Sequence, residues 1–341
     1  MIAPRSPGVT GPIVLLVVLT ACAGPSATGG DSPPTAPAPS STPVPGLAEL
    51  TAYDSAQPLD LRVEAEPVDA GTGVTVDDVS WASRGGGRVT AWLVRPQGDG
   101  PFAGLVYLHG SETDRDDLLD EAVAMAHGGA VSLVLDAPFA RRGSDRRAFL
   151  QYYSIPERER DMTAQAVVDV RRAYDLLVAQ PDVDPERLGF VGHSWGASLG
   201  FVVAAVDPRP GSLVLLTGRP SWTDFLATTT LASIRRTRSR IGEEGWRAYL
   251  ETMAPFDALA HVDEVEAERL YVQYGKLDDV VPVAVARELV DATPGAAVDW
   301  YDAGHALDAA ATADRVSWLV GRLNLAPIEP DVVAGVGLPD E

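Results

Sequence analysis

The chain has little of several residue types, and each shortage excludes a class of protein. One cysteine among 341 residues leaves no partner for a disulfide within the chain. Lysine and arginine together number 27 against 48 aspartate and glutamate residues, which gives a net charge of −21. A nucleic-acid surface needs clustered basic residues to neutralise phosphates, so this balance argues against nucleic acid as a partner. The acidity either keeps the protein soluble, which we favour, or forms an acidic docking face.

Near the amino terminus, the apolar run at 13–19 is too short to cross a membrane. It has seven residues, whereas a transmembrane helix needs about 20. Arg5 precedes the run, and a basic residue before a short apolar core is typical of an export signal peptide. Residues 1–21 are therefore predicted to be a signal peptide.

The single cysteine, Cys22, directly follows that segment. Its context, Leu-Thr-Ala-Cys at 19–22, resembles the bacterial lipobox, in which the cysteine is acylated and begins the mature protein. The resemblance implies a lipoprotein, anchored on the extracytoplasmic face of the cell membrane by a lipid such as palmitate. Cleavage after the small-x-small triplet 21–23 would instead secrete a soluble protein.

Both ends of the mature chain have a composition that does not favour a packed core. Residues 22–48 are dense in proline, serine, threonine, alanine and glycine, and are predicted to form a disordered tether behind the lipidated cysteine. Residues 326–341 have the same loose character and are predicted to be a tail. The folded domain is expected at 49–325, and the 46% hydrophobic composition is ample for its core.

From about Thr72 onward, short apolar runs rich in β-branched residues alternate with segments of helical periodicity. This alternation predicts an α/β fold, with a mostly parallel sheet and helices on both of its faces. The eight predicted strands are 74–80, 88–94, 103–108, 131–135, 188–191, 213–216, 270–274 and 298–301. Residues 221–253 interrupt the alternation after the sixth strand and are predicted to form a small helical insertion over the carboxyl edge of the sheet.

A Gly-x-Ser-x-Gly sequence at 192–196 directly follows the fifth predicted strand. In such a sharp turn the flanking glycines remove Cβ atoms that would collide, and the serine hydroxyl is left exposed at the end of the strand. Ser194 is therefore the predicted nucleophile.

A serine hydroxyl needs a base within hydrogen-bond reach, and histidine suits that role because its pKa of about 6.5 allows it to take and return a proton. Of the five histidines, His305 follows the last predicted strand and is the candidate base. His193, within the turn, is expected to point away from Ser194, and His127 and His261 are expected to be structural.

The acid that orients the histidine is expected after the seventh strand, where two carboxylates, Asp278 and Asp279, are adjacent. Only one of them can point inward. We favour Asp278, because Asp279 is well placed to serve the turn or the helix start before Pro282. Asp224, after the sixth strand, is a third alternative.

The oxyanion that develops on a substrate carbonyl needs two preorganised donors. The backbone N–H of Trp195, at the helix N-terminus after the nucleophile, is expected to supply one. The N–H of Gly110 or Ser111, in the loop after the third strand, is expected to supply the other. This chemistry implies no metal and no organic cofactor.

Together these residues resemble the α/β-hydrolase superfamily, and within it the group of dienelactone hydrolases, acetyl xylan esterases and acylaminoacyl-peptidases. The resemblance covers 74–325, and its markers lie at 87–96, 108–111, 184–196, 275–282 and 304–305. It implies the α/β-hydrolase fold and a catalytic order of serine, acid and histidine. Dienelactone hydrolases proper use a cysteine nucleophile, where this chain has serine. The peptidase relatives carry a large amino-terminal propeller, for which this chain has no room.

We therefore expect a serine carboxylesterase of class EC 3.1.1, which cleaves a small-molecule ester through an acyl-enzyme. Acyl transfer, or hydrolysis of an amide or peptide, would use the same residues. A non-catalytic surface lipoprotein on a hydrolase scaffold is the alternative from another class, and the intact serine, aspartate and histidine argue against it.

Overall fold

The computed structural model describes residues 45–341, apart from 66–67, 70–72, 85, 142, 145–154, 224–225, 227–228, 230–231, 338 and 340–341. The predicted signal peptide, Cys22 and most of the predicted tether therefore lie outside the described residues, as does Asp224. Within the described ranges, no helix is long and apolar enough to span a bilayer.

Ten strands in the described part of the chain form one mixed sheet. The strands are β1 (Arg62–Val63), β2 (Val68–Asp69), β3 (Thr75–Ala82), β4 (Arg88–Arg95), β5 (Phe102–Leu108), β6 (Ala130–Leu135), β7 (Val183–His193), β8 (Ser212–Leu216), β9 (Leu270–Gly275) and β10 (Ala297–Tyr301). Their order is β1-β3-β4-β6-β5-β7-β8-β9-β10, with β2 paired to β3. All pairs from β6 to β10 are parallel, and β1 to β4 add an antiparallel edge.

Helices cover both faces of this sheet. Those described are α1 (Leu47–Leu50), α2 (Leu119–His127), α3 (Pro156–Val178), α4 (Trp195–Val206), α5 (Ala232–Met253), α6 (Val283–Ala292), α7 (Ala309–Arg322) and α8 (Pro330–Ala334). Three short 3₁₀ segments, Ala254–Phe256, Ala258–Glu264 and Ala267–Arg269, lead from α5 to β9.

Two hydrophobic cores follow from the alternation of side chains along each strand. In β8, Leu213 and Leu215 face the core that contains side chains of α3, α4, α5 and α6. Val214 and Leu216 face the opposite core, which contains side chains of α2 and α7. The central strands are thus buried on both faces, as a doubly covered parallel sheet requires.

The predicted architecture is confirmed, and strands β3 to β10 are the eight that the sequence pattern predicted. The two additional strands, β1 and β2, are two residues long and extend the antiparallel edge. Strand β7 begins at Val183, earlier than predicted, because the turn-like composition of 184–187 conceals its first residues. The predicted insertion contains α5, which bends at Gly242, where φ is 72°.

Regular structure also occurs in both terminal stretches that the composition marked as loose. Helix α1 begins at Leu47, and Leu47 and Leu50 are buried in the core. At the other end, helix α8 packs against α7 and α2.

The turn between β7 and α4 depends on an unusually close approach of main chains. Ser194 has a φ of 53°, in the left-handed region that residues with side chains rarely adopt. A Cβ added to Gly192 would lie 2.6 Å from the carbonyl carbon of Gly196, and one added to Gly196 would lie 2.0 Å from the carbonyl oxygen of Leu108. Both glycines are therefore required by sterics, because backbone atoms occupy the space that a side chain would need.

Gly196→Ala should lower the free energy of unfolding by at least about 3 kcal/mol, because the clash is with backbone that cannot rotate away. Gly321→Ala is the matched control, since a Cβ at that exposed position of α7 meets nothing within 4 Å. It should leave stability unchanged or raise it by up to about 1 kcal/mol. Urea unfolding followed by circular dichroism measures both, and equal midpoints for the two variants would contradict the steric account.

Candidate active site

Ser194, Asp278 and His305 meet at the carboxyl edge of the sheet. His305 Nε2 lies 2.8 Å from Ser194 Oγ, and His305 Nδ1 lies 2.8 Å from Asp278 Oδ2. Ser194 follows β7, Asp278 follows β9 and His305 follows β10. Since these strands are parallel, their carboxyl ends share one edge, and the loops there bring the three side chains together. The arrangement can transfer a proton from the hydroxyl to the imidazole.

Of the two adjacent carboxylates, the structure directs Asp278 toward the histidine. The side chain of Asp278 is fully buried, while Asp279 is exposed. Asp278 Oδ1 accepts the backbone N–H groups of Val280 and Val281, each at 2.8 Å. These two bonds hold the carboxylate so that Oδ2 faces the Nδ1 of His305. Sequence spacing did not determine which carboxylate turns inward, because the choice depends on these amide donors.

The candidate nucleophile sits at the start of α4, half-buried. Its N–H donates to Leu216 O at 2.8 Å, so the turn is joined to the neighbouring strand β8. Trp195, the first residue of α4, is fully buried, and its ring meets Phe139 edge-on with centroids 5.0 Å apart. Because the first N–H groups of a helix have no partner within it, the amide of Trp195 suits an oxyanion.

The loop after β5 approaches the same turn. A Cβ on Gly110 would lie 3.4 Å from the Cβ of Ser194, so the loop backbone passes directly beside the candidate nucleophile. The buried side chain of His109 orients this backbone. Its Nε2 accepts the N–H of Ala137 at 3.0 Å, which leaves the proton on Nδ1, and Nδ1 lies 2.6 Å from Gly110 O. Burial lowers the pKa of His109 and so favours this neutral form.

His109 therefore sets the direction of one candidate oxyanion donor. The carbonyl of Gly110 and the N–H of Ser111 belong to one planar peptide group and point in opposite directions. Because His109 holds the carbonyl on one side, the N–H of Ser111 is directed to the other. The sequence predicts Gly110 and Ser111 as oxyanion donors but indicates no role for His109, since no sequence pattern shows what a buried histidine binds.

A buried ion-pair network fixes the remainder of this loop. Arg115 Nη1 lies 2.7 Å from Asp78 Oδ1, and the guanidinium carbon lies 3.8 Å from the centre of the Trp92 ring. The Arg115 N–H donates to Asp136 Oδ1 at 3.1 Å. These contacts join the loop to β3, β4 and the end of β6, so its amides are preorganised.

A cavity of about 500 Å³ lies between the loop after β6 and the first turns of α3, with Phe139 and Met162 in its wall. Phe139 also packs on Trp195, so its ring lies between the cavity and the residue that follows Ser194. Among the described residues, no group of three or more histidine, cysteine, aspartate or glutamate side chains is arranged to hold a metal ion.

Glu159 is a buried acid at this same edge. It lies in the first turn of α3, which starts at the carboxyl edge because α3 connects two parallel strands. Burial raises the pKa of Glu159 to about 8, and the nearby Tyr249 hydroxyl of α5 and the charge of Arg219 after β8 lower it only in part. The carboxyl is therefore mainly protonated in the folded protein at neutral pH.

Glu159→Gln should remove a pH dependence of stability. The folded protein keeps this proton up to about pH 8, whereas the unfolded chain loses it near pH 4.5. Between these values the folded state binds more protons, so Glu159 lowers the free energy of unfolding by about 1.4 kcal/mol per pH unit as pH rises. The stability advantage of Glu159→Gln over wild type should therefore grow from about pH 5 to about pH 8.

Glu157→Gln, on the exposed side of the same helical turn, controls for the change in helix charge. Denaturant unfolding at a series of pH values measures both variants. If the Glu159→Gln and wild-type stabilities stay parallel across this range, the buried proton is not held as described.

The strand order, the serine turn after β7 and the acid and histidine after β9 and β10 define an α/β-hydrolase. Residues 50–235, more than half of the chain, match the family model described as acetyl xylan esterase (AXE1). The chain belongs to this family. The matched residues include Ser194 and end before Asp278 and His305.

Three similar proteins illustrate the relationship. An uncharacterized protein of Mycobacterium tuberculosis is 27% identical over 216 residues, which are 63% of this chain and 66% of that protein, just under two thirds of its length. A polyketide transferase of Stachybotrys chlorohalonatus is 28% identical over 142 residues, 41% of this chain and 44% of that one. The structure of an acetyl xylan esterase from Paenibacillus sp. R4 superimposes with a TM-score of 0.66 at 20% identity, over 81% of this chain and 92% of that one, and has the same fold.

Proposed function

We propose that the protein is a serine carboxylesterase, in which Ser194, His305 and Asp278 are the catalytic triad. One observation carries the proposal: a continuous chain of two 2.8 Å contacts runs from the Ser194 hydroxyl through the His305 ring to the buried Asp278 carboxylate. Nucleophilic serine catalysis needs this geometry, because the base must reach the hydroxyl while a third group fixes the base. Membership of the acetyl xylan esterase family supports an acetyl ester as substrate.

In the first half of the proposed reaction, His305 Nε2 takes the proton of Ser194 as Oγ attacks the ester carbonyl carbon. The carbonyl oxygen becomes an oxyanion, which accepts the N–H groups of Trp195 and of Ser111. Asp278 holds Nδ1–H and stabilises the imidazolium that forms. The tetrahedral intermediate then expels the alcohol, whose oxygen takes the proton from Nε2, and the acyl group stays on Oγ.

In the second half, His305 accepts a proton from water, and the water oxygen attacks the acyl-enzyme carbonyl. The same two N–H groups bind the second oxyanion. Ser194 Oγ leaves and regains its proton from Nε2, while the carboxylic acid is released. The triad therefore returns to its starting state, and no other group is consumed.

Acyl transfer is the second candidate function, favoured by the likeness to the polyketide transferase. It follows the same first half, after which an acceptor other than water attacks the acyl-enzyme. Product analysis with an added alcohol separates the two functions, since a transferase forms new ester at the expense of free acid.

The two adjacent carboxylates give a matched test of the triad. Asp278→Asn should lower kcat for a p-nitrophenyl ester by about 10⁴-fold, because the amide disfavours the histidine tautomer that accepts the serine proton. Asp279→Asn makes the same chemical change on an exposed neighbour and should leave kcat within about twofold, as expected for a surface substitution. Equal losses of kcat in the two variants, or activity retained by Asp278→Asn, would refute this triad. Wild-type protein that hydrolyses no ester would refute the proposal that the protein is an esterase.

We also propose that Cys22 carries a lipid that anchors the protein on the outer side of the cell membrane. Its support is the lipobox-like context 19–22 and the absence of any other cysteine in the sequence.

Cys22→Ser should move the protein from the detergent phase to the aqueous phase of a Triton X-114 extraction, because the thioether lipid is lost. Ser26→Ala, four residues further on, is the control and should leave the protein in the detergent phase. Wild-type protein found only in the culture medium would favour simple secretion.

A further inference from the structure

His193, the residue before the candidate nucleophile, is buried between two oxygen acceptors. Its Nδ1 lies 3.3 Å from Asp117 Oδ2, and its Nε2 lies 3.4 Å from the main-chain oxygen of His305. The side chains of His193 and Asp117 are only 2% and 1% exposed, so bulk solvent has little access to these contacts. From the sequence, His193 is expected to point away from Ser194 and to pack or hydrogen-bond locally, whereas both of these partners are distant in the chain.

The tautomer of the His193 ring determines which of the two contacts has a donor. A neutral imidazole has one N–H, whereas Asp117 Oδ2 and His305 O are both placed as acceptors. With the N–H on Nε2, His193 donates to His305 O.

The same carbonyl has a second donor from the next strand. Thr217, directly after β8, donates through Oγ1 to His305 O at 3.2 Å. His305 lies in a loop between β10 and α7, where no regular secondary structure fixes its backbone, and Leu307 has a φ of 65°. Donors from the ends of β7 and β8 therefore hold the peptide group that carries the candidate base.

We propose that His193 is a positioning residue for His305, held in place by Asp117 and assisted by Thr217. The proposal rests on the proposed function of His305 as the catalytic base. Asp117 lies in the loop that also carries Gly110 and Ser111, and His193 adjoins Ser194. One buried imidazole thus connects the three loops that supply the oxyanion donor, the nucleophile and the base, and fixes their relative positions.

The charged and titratable groups that face this imidazole are Asp117 on one side and His305 on the other, with Asp278 behind His305. The His193 and His305 rings are 5.4 Å apart between centroids. If the contact with Asp117 is lost, the His193 ring is free to rotate, and its hydrogen bond to His305 O weakens because the ring no longer holds its orientation. The expected consequence is a displaced base and slower chemistry, with little effect on substrate binding.

The test replaces the imidazole of His193 with a side chain of similar size, so that no cavity is created. His193→Phe keeps an aromatic ring and removes both N–H donors, so kcat for a p-nitrophenyl ester should fall by about 10- to 100-fold while KM stays within about twofold. Labelling of Ser194 by a fluorophosphonate should slow in parallel. His193→Gln keeps an N–H that can reach His305 O and should recover most of the lost kcat.

His261→Phe is the matched control. His261 has the same kinds of partners, with Nδ1 3.1 Å from Glu264 Oε2 and Nε2 2.8 Å from Pro255 O, but it lies in a 3₁₀ segment outside the triad loops. This variant should keep wild-type kcat. If His193→Phe does not fold, Thr217→Val carries the test, because it removes the other bond to the same carbonyl and should lower kcat several-fold, with recovery in Thr217→Ser.

A His193→Phe enzyme with wild-type kcat, or a His193→Gln enzyme no better than His193→Phe, would overturn the positioning role. Failure of the proposed function has a different outcome, since wild-type protein would then hydrolyse no ester. In that case the positioning role is tested by nuclear magnetic resonance, through the signal of the proton on His305 Nδ1. The proposal predicts a slowly exchanging downfield signal in wild type that is lost in His193→Phe, and an unchanged signal would refute it.

Discussion

The contact between Gly196 and the carbonyl oxygen of Leu108 is the constraint on which the site depends. A Cβ at Gly196 would come within 2.0 Å of that oxygen, so α4 can begin beside the end of β5 only with a glycine there. This approach puts the turn at Ser194 against the loop at Gly110. The candidate nucleophile and the candidate oxyanion donors are therefore neighbours because of main-chain packing, whatever the side chains of the proposed triad contribute.

The other candidate catalytic groups are held by bonds to backbone atoms. Two amides orient Asp278, a neutral buried histidine holds the carbonyl of Gly110, and two side chains reach the carbonyl of His305. Such bonds fix donors and acceptors before substrate arrives, and preorganisation of this kind supplies much of the rate enhancement in enzymes. Glu159, buried at the same edge, lowers the free energy of unfolding as pH rises, because its burial makes the ionised form unfavourable.

The fold and the three triad candidates could be predicted from the sequence, since both follow from local patterns. Alternating apolar runs determine the sheet, and the glycines at 192 and 196 mark the turn. What could not be predicted depends on contacts between distant residues. Asp278 was favoured over Asp279 on turn chemistry, but the amides of Val280 and Val281 make the distinction. The roles of His109 and Asp117 have no local signature, because they arise where separate loops meet.

Nucleophilic attack by Ser194 is the central claim, and trapping the acyl-enzyme tests it most directly. Protein mixed with excess p-nitrophenyl acetate and quenched in acid during turnover can be digested and its peptides weighed by mass spectrometry. The account predicts one added acetyl group, confined to the peptide that contains Ser194 and located on that residue by fragmentation. An acetyl group on another residue, or hydrolysis of the ester with no adduct when deacylation is slowed by low temperature, would contradict it.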